Sequence, residues 1–398
     1  MTRLLNILFW SVIAAAFIGP GTITTAARAG SDFGFALAWA LLFSVFACLV
    51  LQEASGRITV LTGKELGEAI RSRFGGWISV FVAGGIILGC AAYEAGNLLG
   101  GVAGLRLVVD TSPAVLTLIA GVAAAALLAT GNTRWIARIL GGLVAFMGIA
   151  FVITAVRLGP DFFDLLTGLF VPRIPVGSTI LVLGLVGTTV VPYNLFLGSA
   201  LARDSELGEM RWGLGVAVVG GGVISLGVLV VGSALGGGLE YANLAAVLEE
   251  RLGPGAGTSL ALGLFAAGFT SAITAPLAAA LAARSLLAGA GDKQWAPTSN
   301  RFRAVWLGVL LAGMAFGVAD VRPVPVIILA QAFNGLLLPL VAVFLLITMN
   351  DWNLLGNDGV NSLAQNVVMG VVVLACVVLG ARGLIAAVKA ALYFLGGG

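Results

Sequence analysis

The chain has 398 residues, of which 60% are hydrophobic and 10% are charged, and its formal net charge is +3. Soluble domains carry about a quarter of their residues charged, so this composition excludes a soluble globular protein and predicts a polytopic membrane protein. The small positive balance reflects Lys and Arg in loops, so it indicates membrane topology and not a nucleic-acid partner.

Eleven apolar segments meet the requirement of about 20 residues for crossing a bilayer. They cover residues 5–30, 35–56, 77–105, 113–130, 135–157, 178–202, 212–236, 257–285, 302–320, 323–348 and 364–388. The connections are too short for a separate soluble domain, so 1–398 is predicted to be one transmembrane domain. The first segment has no small-residue cleavage site, so we expect a retained helix and not a signal peptide.

The loop charges predict the orientation in the plasma membrane. With the N-terminus in the cytoplasm, 13 of the 21 Lys and Arg residues face inward and 8 face outward, which agrees with the positive-inside rule. An odd number of spans then places the C-terminus outside the cytoplasm. The lipid bilayer is the expected partner, and the sequence indicates no obligatory protein partner.

Two of the spans are interrupted near their middle. The sequence GPG at 19–21 interrupts the first span, and VPYN at 191–194 interrupts the sixth. Because these breaks are five spans apart, they predict two repeats of opposite membrane topology, at 1–157 and 178–348, followed by an extra helix at 364–388. Corresponding broken helices in inverted halves indicate a secondary transporter whose site lies at mid-membrane.

A break of this kind exposes polar backbone inside the membrane. Pro20 and Pro192 each remove an amide donor and disrupt the helix ladder, and the freed carbonyls and amides then attract cations and anions respectively. The alternative is that both prolines only kink their helices; two equivalent breaks, one flanked by Gly19 and Gly21, favour a site. The polar side chains around the breaks are Thr22, Thr24, Thr25, Thr188, Thr189, Tyr193 and Asn194.

Other chemistry is limited by composition. Cys48, Cys90 and Cys376 all lie in apolar runs and form no spaced cluster, which predicts neither a disulfide framework nor a thiolate metal site. The chain has no histidine, so proton coupling through histidine is excluded. The glycine runs lack the strand–helix context of a phosphate loop, and no catalytic triad is visible, so we expect neither an enzyme nor a bound cofactor.

The stretch GPGTITTAARAGSDFGFALAWALLFSVFACLVLQEASGRITVLTGKELGEAI resembles the start of the Nramp family of divalent-metal transporters. The stretches TTVVPYNLFLGSALAR, GLFAAGFTSAITAPLAAALAARSLLAG and ILAQAFNGLLLPLVAVFLLITMNDWNLLG are similar to its helices 6, 8 and 10. The resemblance covers almost the whole chain in order. It implies an all-α membrane protein of the LeuT-type fold, with two inverted five-helix repeats and an eleventh transmembrane helix.

The differences from the family fall on residues that it uses to bind metal. The family's aspartate and asparagine in helix 1 correspond to Gly19 and Thr22. Its methionine and histidine at the helix 6 break correspond to Val191 and Tyr193, and a second histidine corresponds to Gly198. The carboxylate and the soft sulfur that favour manganese or iron are therefore absent.

Three further positions bear on ion movement. Of two acids in helix 3 that the family uses in proton movement, the first matches Ala91 and the second matches Glu94. An intramembrane carboxylate is a functional candidate, although Glu94 could instead bond Tyr93, Asn97 or a neighbouring helix. A glutamine of helix 10 that reaches the family's site is kept as Gln331.

Glu53 precedes Arg57 by four residues, which predicts a local ion pair.

These features predict a transporter that moves a cation by alternating access. The substrate-binding candidates are Gly19, Thr22, Val191, Tyr193, Asn194 and Gln331, and Glu94 marks an ion or proton path. The expected cargo is a hydrated, magnesium-like divalent ion, because such an ion needs few direct ligands and no sulfur. The alternatives are a small organic solute such as an amino acid on the same fold, or a passive channel or non-transporting binding protein.

Overall fold

The computed structural model describes residues 18–130, 134–289 and 292–395, and all regular structure in these ranges is helical. The helices are α1 (Pro20–Phe33), α2 (Ala38–Thr62), α3 (Leu66–Phe74), α4 (Gly76–Leu105), α5 (Pro113–Thr130), α6 (Arg134–Leu158), α7 (Phe162–Phe170), α8 (Thr179–Thr189), α9 (Pro192–Leu201), α10 (Leu207–Ser233), α11 (Tyr241–Leu252), α12 (Ala256–Leu287), α13 (Asn300–Val318), α14 (Pro323–Thr348), α15 (Trp352–Gly359) and α16 (Leu363–Leu395).

Ten segments within the described ranges are long and apolar enough to cross a membrane. They correspond to the second through eleventh predicted spans, and α8 and α9 together form one of them. The N-terminal part of the first predicted span, up to residue 17, lies outside the described residues; its remaining part is α1. The all-α membrane fold expected from the sequence is therefore confirmed.

The boundaries differ from the prediction where backbone geometry decides them. The second span runs to Thr62, six residues beyond the predicted end, because Gly63 with φ 69° is the first residue to leave the helical conformation. Gly can adopt this left-handed conformation without steric cost. The short helices α3, α7, α11 and α15 were not predicted, since each is too short to register as a span.

Burial separates central from peripheral helices. Of 18 consecutive residues in the segment that holds α8 and α9, 94% are buried, against 28% of the 18 residues of α5. The helices α8 and α14 pack closely, as do α4 and α12, and α1 and α10. The second break therefore lies in the middle of the bundle. Other helices surround the backbone groups that have lost their helical hydrogen bonds, as a break inside a membrane requires.

The acid of the predicted Glu53–Arg57 pair has two partners. Glu53 Oε1 lies 3.4 Å from Arg57 Nε within α2, and also 2.6 Å from a terminal nitrogen of Arg211 in α10. The local pair is present as expected, and the structure adds a bond between two helices far apart in sequence.

Candidate functional site

At the first break the helix starts at Pro20. Gly19 is extended, with φ −97° and ψ 175°, and acts as the N-cap of α1. Its carbonyl accepts from the amides of Thr22 and Ile23 at 3.1 and 3.2 Å. Pro20 occupies the first turn of the helix, where a backbone N–H would have no partner within the helix, which is why proline is favoured there.

At the second break two residues leave the helical conformation. Val190 has φ −100° and ψ 71°, and Val191 has φ −74° and ψ 123°. Pro192 then begins α9, and the Asn194 amide donates to the Val191 carbonyl at 3.0 Å. The non-helical stretch is short and completely buried.

A polar recess adjoins Gly19, because glycine has no side chain to occupy it. A Cβ placed on Gly19 would lie 3.3 Å from Tyr93 Oη, 3.4 Å from Ser271 Oγ and 4.0 Å from Asn97 Oδ1. All three oxygens are buried; those of Asn97 and Ser271 have no hydrogen-bond partner in the described part of the chain, whereas the Tyr93 hydroxyl interacts with that of Tyr193. Buried polar groups are rarely left unpaired, so this recess, formed by Gly19, Tyr93, Asn97 and Ser271, is suited to a polar guest. We call it the Gly19 recess.

Close helix packing builds the walls of the Gly19 recess. Asn97 on α4 and Ser271 on α12 face each other because Gly101 and Gly268 let the two backbones meet; a Cβ on Gly268 would lie 2.6 Å from the Asn97 carbonyl oxygen. Small residues at such contacts are typical of membrane helix pairs.

Glu94 connects to the recess through Asn97. The Glu94 side chain is completely buried, and its Oε2 accepts from Asn97 Nδ2 at a long 3.4 Å. Its Oε1 has no partner among the described residues. One predicted alternative, a hydrogen bond to Asn97, is thus present, but it satisfies only one of the two oxygens.

Two amides lie near the breaks without partners. Asn194 and Gln331 are buried, and neither the oxygen nor the nitrogen of either side-chain amide is hydrogen-bonded within the described ranges. Gln331 lies directly against Gly21, where a Cβ would overlap its amide. The fold therefore places the substrate-binding candidate Gln331 directly beside the first helix break at residues 19–21.

Other polar candidates already have partners. The hydroxyls of Thr22 and Thr188 bond at 2.9 Å and connect α1 to α8. Thr24 donates to the Pro20 carbonyl at 2.6 Å and bonds the Tyr241 hydroxyl at 2.5 Å. Thr189 donates back to Leu185 at 3.1 Å. These threonines are held by the scaffold, whereas the Thr25 hydroxyl is buried without a partner among the described residues.

The positions that the resemblance matches to the family's methionine and histidines are closely packed. Val191 is completely buried. The Tyr193 ring packs edge-to-face on Tyr93, with centroids 5.4 Å apart. At the second histidine position, Gly198 leaves space for Gln52, whose side-chain oxygen would overlap any added Cβ. In the described residues no three His, Cys, Asp or Glu side chains are grouped to hold a metal.

Sequence reasoning missed Ser271 and treated Tyr93 and Asn97 only as partners for Glu94. Ser271 lies in the polar run FTSAIT inside an otherwise apolar helix. Polar residues in transmembrane helices mark functional paths, so this run was a usable signal.

The broken membrane helices and their surroundings define a membrane transporter fold. The chain resembles a manganese transporter from Eremococcus coleocola, solved in complex with an aromatic bis-isothiourea substituted compound, with a TM-score of 0.77 and 18% identity over 97% of this chain and 86% of the other. A nucleobase-cation-symport-1 family transporter in a closed conformation, with bromovinylhydantoin bound, gives a TM-score of 0.57 and 13% identity over 97% and 93% of the two chains.

The family model described as natural resistance-associated macrophage protein-like matches residues 11–386. The chain therefore belongs to the Nramp family. It is 26% identical over 285 residues to the divalent metal cation transporter MntH of Yersinia pestis (strain Pestoides F), covering 67% of this chain and 69% of the relative. It is 27% identical over 283 residues to MntH of Klebsiella pneumoniae (strain 342), covering 67% and 68%.

Proposed function

We propose that this chain transports a divalent metal cation by alternating access, and that it holds the ion hydrated, as magnesium is held, and not as dehydrated manganese or iron. The observation that carries the proposal is the Gly19 recess, where three buried oxygens surround a glycine and two of them, on Asn97 and Ser271, have no partner among the described residues. The relatives named as divalent metal cation and manganese transporters support the class of cargo.

The chemistry of the recess favours a hard ion with its water retained. Tyr93, Asn97 and Ser271 offer neutral oxygens, which accept hydrogen bonds from coordinated water. Magnesium dehydrates reluctantly and keeps several waters, whereas manganese and iron sites use additional carboxylate or softer ligands. Gly19 and Val191 supply neither.

Glu94 supplies the negative charge in this proposal. It is the buried carboxylate next to the recess, joined to it by Asn97. A buried acid that is only partly hydrogen-bonded is stabilised by a nearby cation. Because the chain has no histidine, we propose that transport proceeds without histidine-based proton coupling, and that Glu94 lies on the ion or proton path.

The proposal includes the arrangement in the membrane. We propose a multi-pass protein of the plasma membrane with a cytoplasmic N-terminus and an extracytoplasmic C-terminus, built from repeats at 1–157 and 178–348 and an added helix at 364–388. Movement of one repeat against the other would open the site to each side in turn. It acts as a transporter and not as an enzyme, with the bilayer as its partner.

A second candidate cargo, a small organic solute such as an amino acid, is favoured by the free amides. Asn194 and Gln331 each present an NH₂ donor that has no partner within the described ranges, as well as an oxygen. An NH₂ group cannot ligate a cation but donates well to a carboxylate or amide oxygen.

Proteoliposome flux separates these candidates. We expect saturable magnesium uptake that exceeds manganese uptake; if uptake depends on an imposed proton gradient, Glu94 and not a histidine must carry the proton. If no divalent ion binds or moves, the metal proposal is overturned, and saturable amino-acid uptake would establish the second candidate. Non-saturable flux without counterflow would indicate a passive channel, whereas binding without flux would indicate a non-transporting binding protein.

A further inference from the structure

A pocket separate from the Gly19 recess opens at the membrane face where α2 ends and α10 begins. Its volume is about 560 Å³. The residues that line it come from four helices and the turn before α16: Arg57, Leu61, Leu207, Arg211, Trp352, Asn357, Val360, Asn361, Ser362 and Gln365. We call it the Arg57–Arg211 pocket.

The lining is basic. Its described side chains include two arginines and no carboxylate, and Glu53, which contacts both arginines, offsets one of these two positive charges. Arg57 is 5% exposed and donates to Asn361 Oδ1 at 2.5 Å, so it forms a fixed wall. Arg211 is about half exposed, and its contacts to Glu53 use Nε and one terminal nitrogen. The other terminal nitrogen makes no such contact with the described residues and remains for a guest, since a guanidinium has five donors.

Neutral donors complete the polar side of the pocket. Asn357 brings a side-chain amide, and Ser362 brings a hydroxyl that accepts from the Gln365 amide and keeps its own proton to donate. The pocket also lies at the first turn of α16, a helix of 33 residues. The N-terminus of a helix carries partial positive charge and favours an anion.

One side of the pocket is apolar and open. Trp352 is 61% exposed and Leu61 is 47% exposed. Tryptophan is enriched at the level of lipid headgroups, and basic pockets between membrane helices bind phosphate headgroups. On the predicted orientation this face is cytoplasmic, where the leaflet carries anionic lipid.

We propose that the Arg57–Arg211 pocket binds a phosphate-bearing anion, with the phosphate against Arg211, Asn357 and Ser362. The exposed Trp352 and Leu61 lie where the glycerol and upper acyl chains of a phospholipid would pass, so the headgroup of an anionic phospholipid is the expected source. Inorganic phosphate would offer the same anionic group without an apolar part.

The test uses two matched variants of the purified full chain. Asn357→Asp adds a carboxylate inside the pocket, whereas Asn353→Asp adds the same charge on the same short helix outside it; both asparagines are exposed, so neither change disturbs the core. Native mass spectrometry and thermal shift are recorded with short-chain phosphatidylglycerol, short-chain phosphatidylcholine and inorganic phosphate. We expect phosphatidylglycerol to bind the wild type and Asn353→Asp alike, and Asn357→Asp at least tenfold more weakly.

The lipid and phosphate arms identify the source of the anion. Protection by phosphatidylglycerol alone assigns the pocket to a lipid headgroup, and equal protection by inorganic phosphate assigns it to the free anion. The proposal is overturned if neither anion binds, if phosphatidylcholine binds as well as phosphatidylglycerol, or if both Asp variants bind alike. A second pair, Arg211→Gln against the exposed Arg301→Gln, should show the same contrast.

Discussion

The two helix breaks are built differently. At the first, Gly19 leaves a recess bordered by three oxygens, two of which have no partners in the described structure. At the second, Val191 is completely buried and Tyr193 packs on Tyr93. Where the family resemblance predicts an acid, this chain has a polar recess at Gly19, and where it predicts a methionine, this chain has the buried Val191. The recess for a polar guest thus lies at the first break, whereas the second break offers the Asn194 amide.

Close backbone packing also fixes the second break. A Cβ on Gly187 would lie 2.5 Å from the Gly335 amide nitrogen and overlap the Gln331 carbonyl. Backbone cannot move aside as a flexible side-chain end can. The contact between α8 and α14 therefore fixes both the break and the position of Gln331.

The largest effect is expected from Gly187→Ala. Overpacking of this kind costs about 1–3 kcal/mol and sometimes more, so the yield of monodisperse protein in detergent should fall sharply. Gly215→Ala is the control, because a Cβ there meets open space and alanine favours a helix by about 0.5–1 kcal/mol. Equal yields of the two variants would show that α8 and α14 are not packed as described.

Glu94→Gln tests the charge beside the first break. The side chain packs against Gly313, and glutamine keeps its shape, so folding should be preserved while cation flux falls more than tenfold. The measurement is initial uptake in proteoliposomes at matched protein density. Glu250→Gln, at an exposed position, should transport like the wild type. Unchanged flux in Glu94→Gln would give that acid a structural role.

Gly19→Asp should make the Gly19 recess a stronger cation-binding site. The backbone there, with φ −97°, accepts any residue, and the closest neighbours of a new Cβ are the ends of Tyr93 and Ser271. A carboxylate is a preferred manganese ligand, so isothermal titration should show manganese binding about tenfold tighter, which is about 1.4 kcal/mol.

The control for this change is Gly21→Asp, two residues along the same break. Its Cβ would overlap the Gln331 amide, so it adds the same charge while displacing a candidate substrate-binding residue. Equal manganese affinity in the wild type and Gly19→Asp would show that the recess does not face the bound ion.

The sequence was sufficient for the features that composition and local geometry determine. Apolar length predicted the second to eleventh spans, and the family resemblance predicted the fold. Ser271 and the close contact of Gln52 with Gly198 were not foreseen, because each depends on which faces of two helices meet. Those faces are chosen by glycine contacts such as Gly101 with Gly268, which no periodicity in an almost wholly apolar helix reveals.

The smallest effect is expected at the outer edge of the first break, where the Tyr241 hydroxyl at the start of α11 bonds Thr24 at 2.5 Å. Tyr241→Phe removes one net hydrogen bond, worth about 1 kcal/mol. A double-mutant cycle with Thr24→Val should therefore give a coupling of that size in thermal unfolding.

Burial raises the pKa of Tyr241 to about 12, while the bond to Thr24 acts in the opposite sense. The hydroxyl stays protonated at neutral pH, and its stabilisation is lost only as the pH rises above about 10, the value for an unperturbed tyrosine. The coupling should consequently be equal at pH 6 and pH 8, and a coupling that vanishes at either pH would show that the two hydroxyls do not bond.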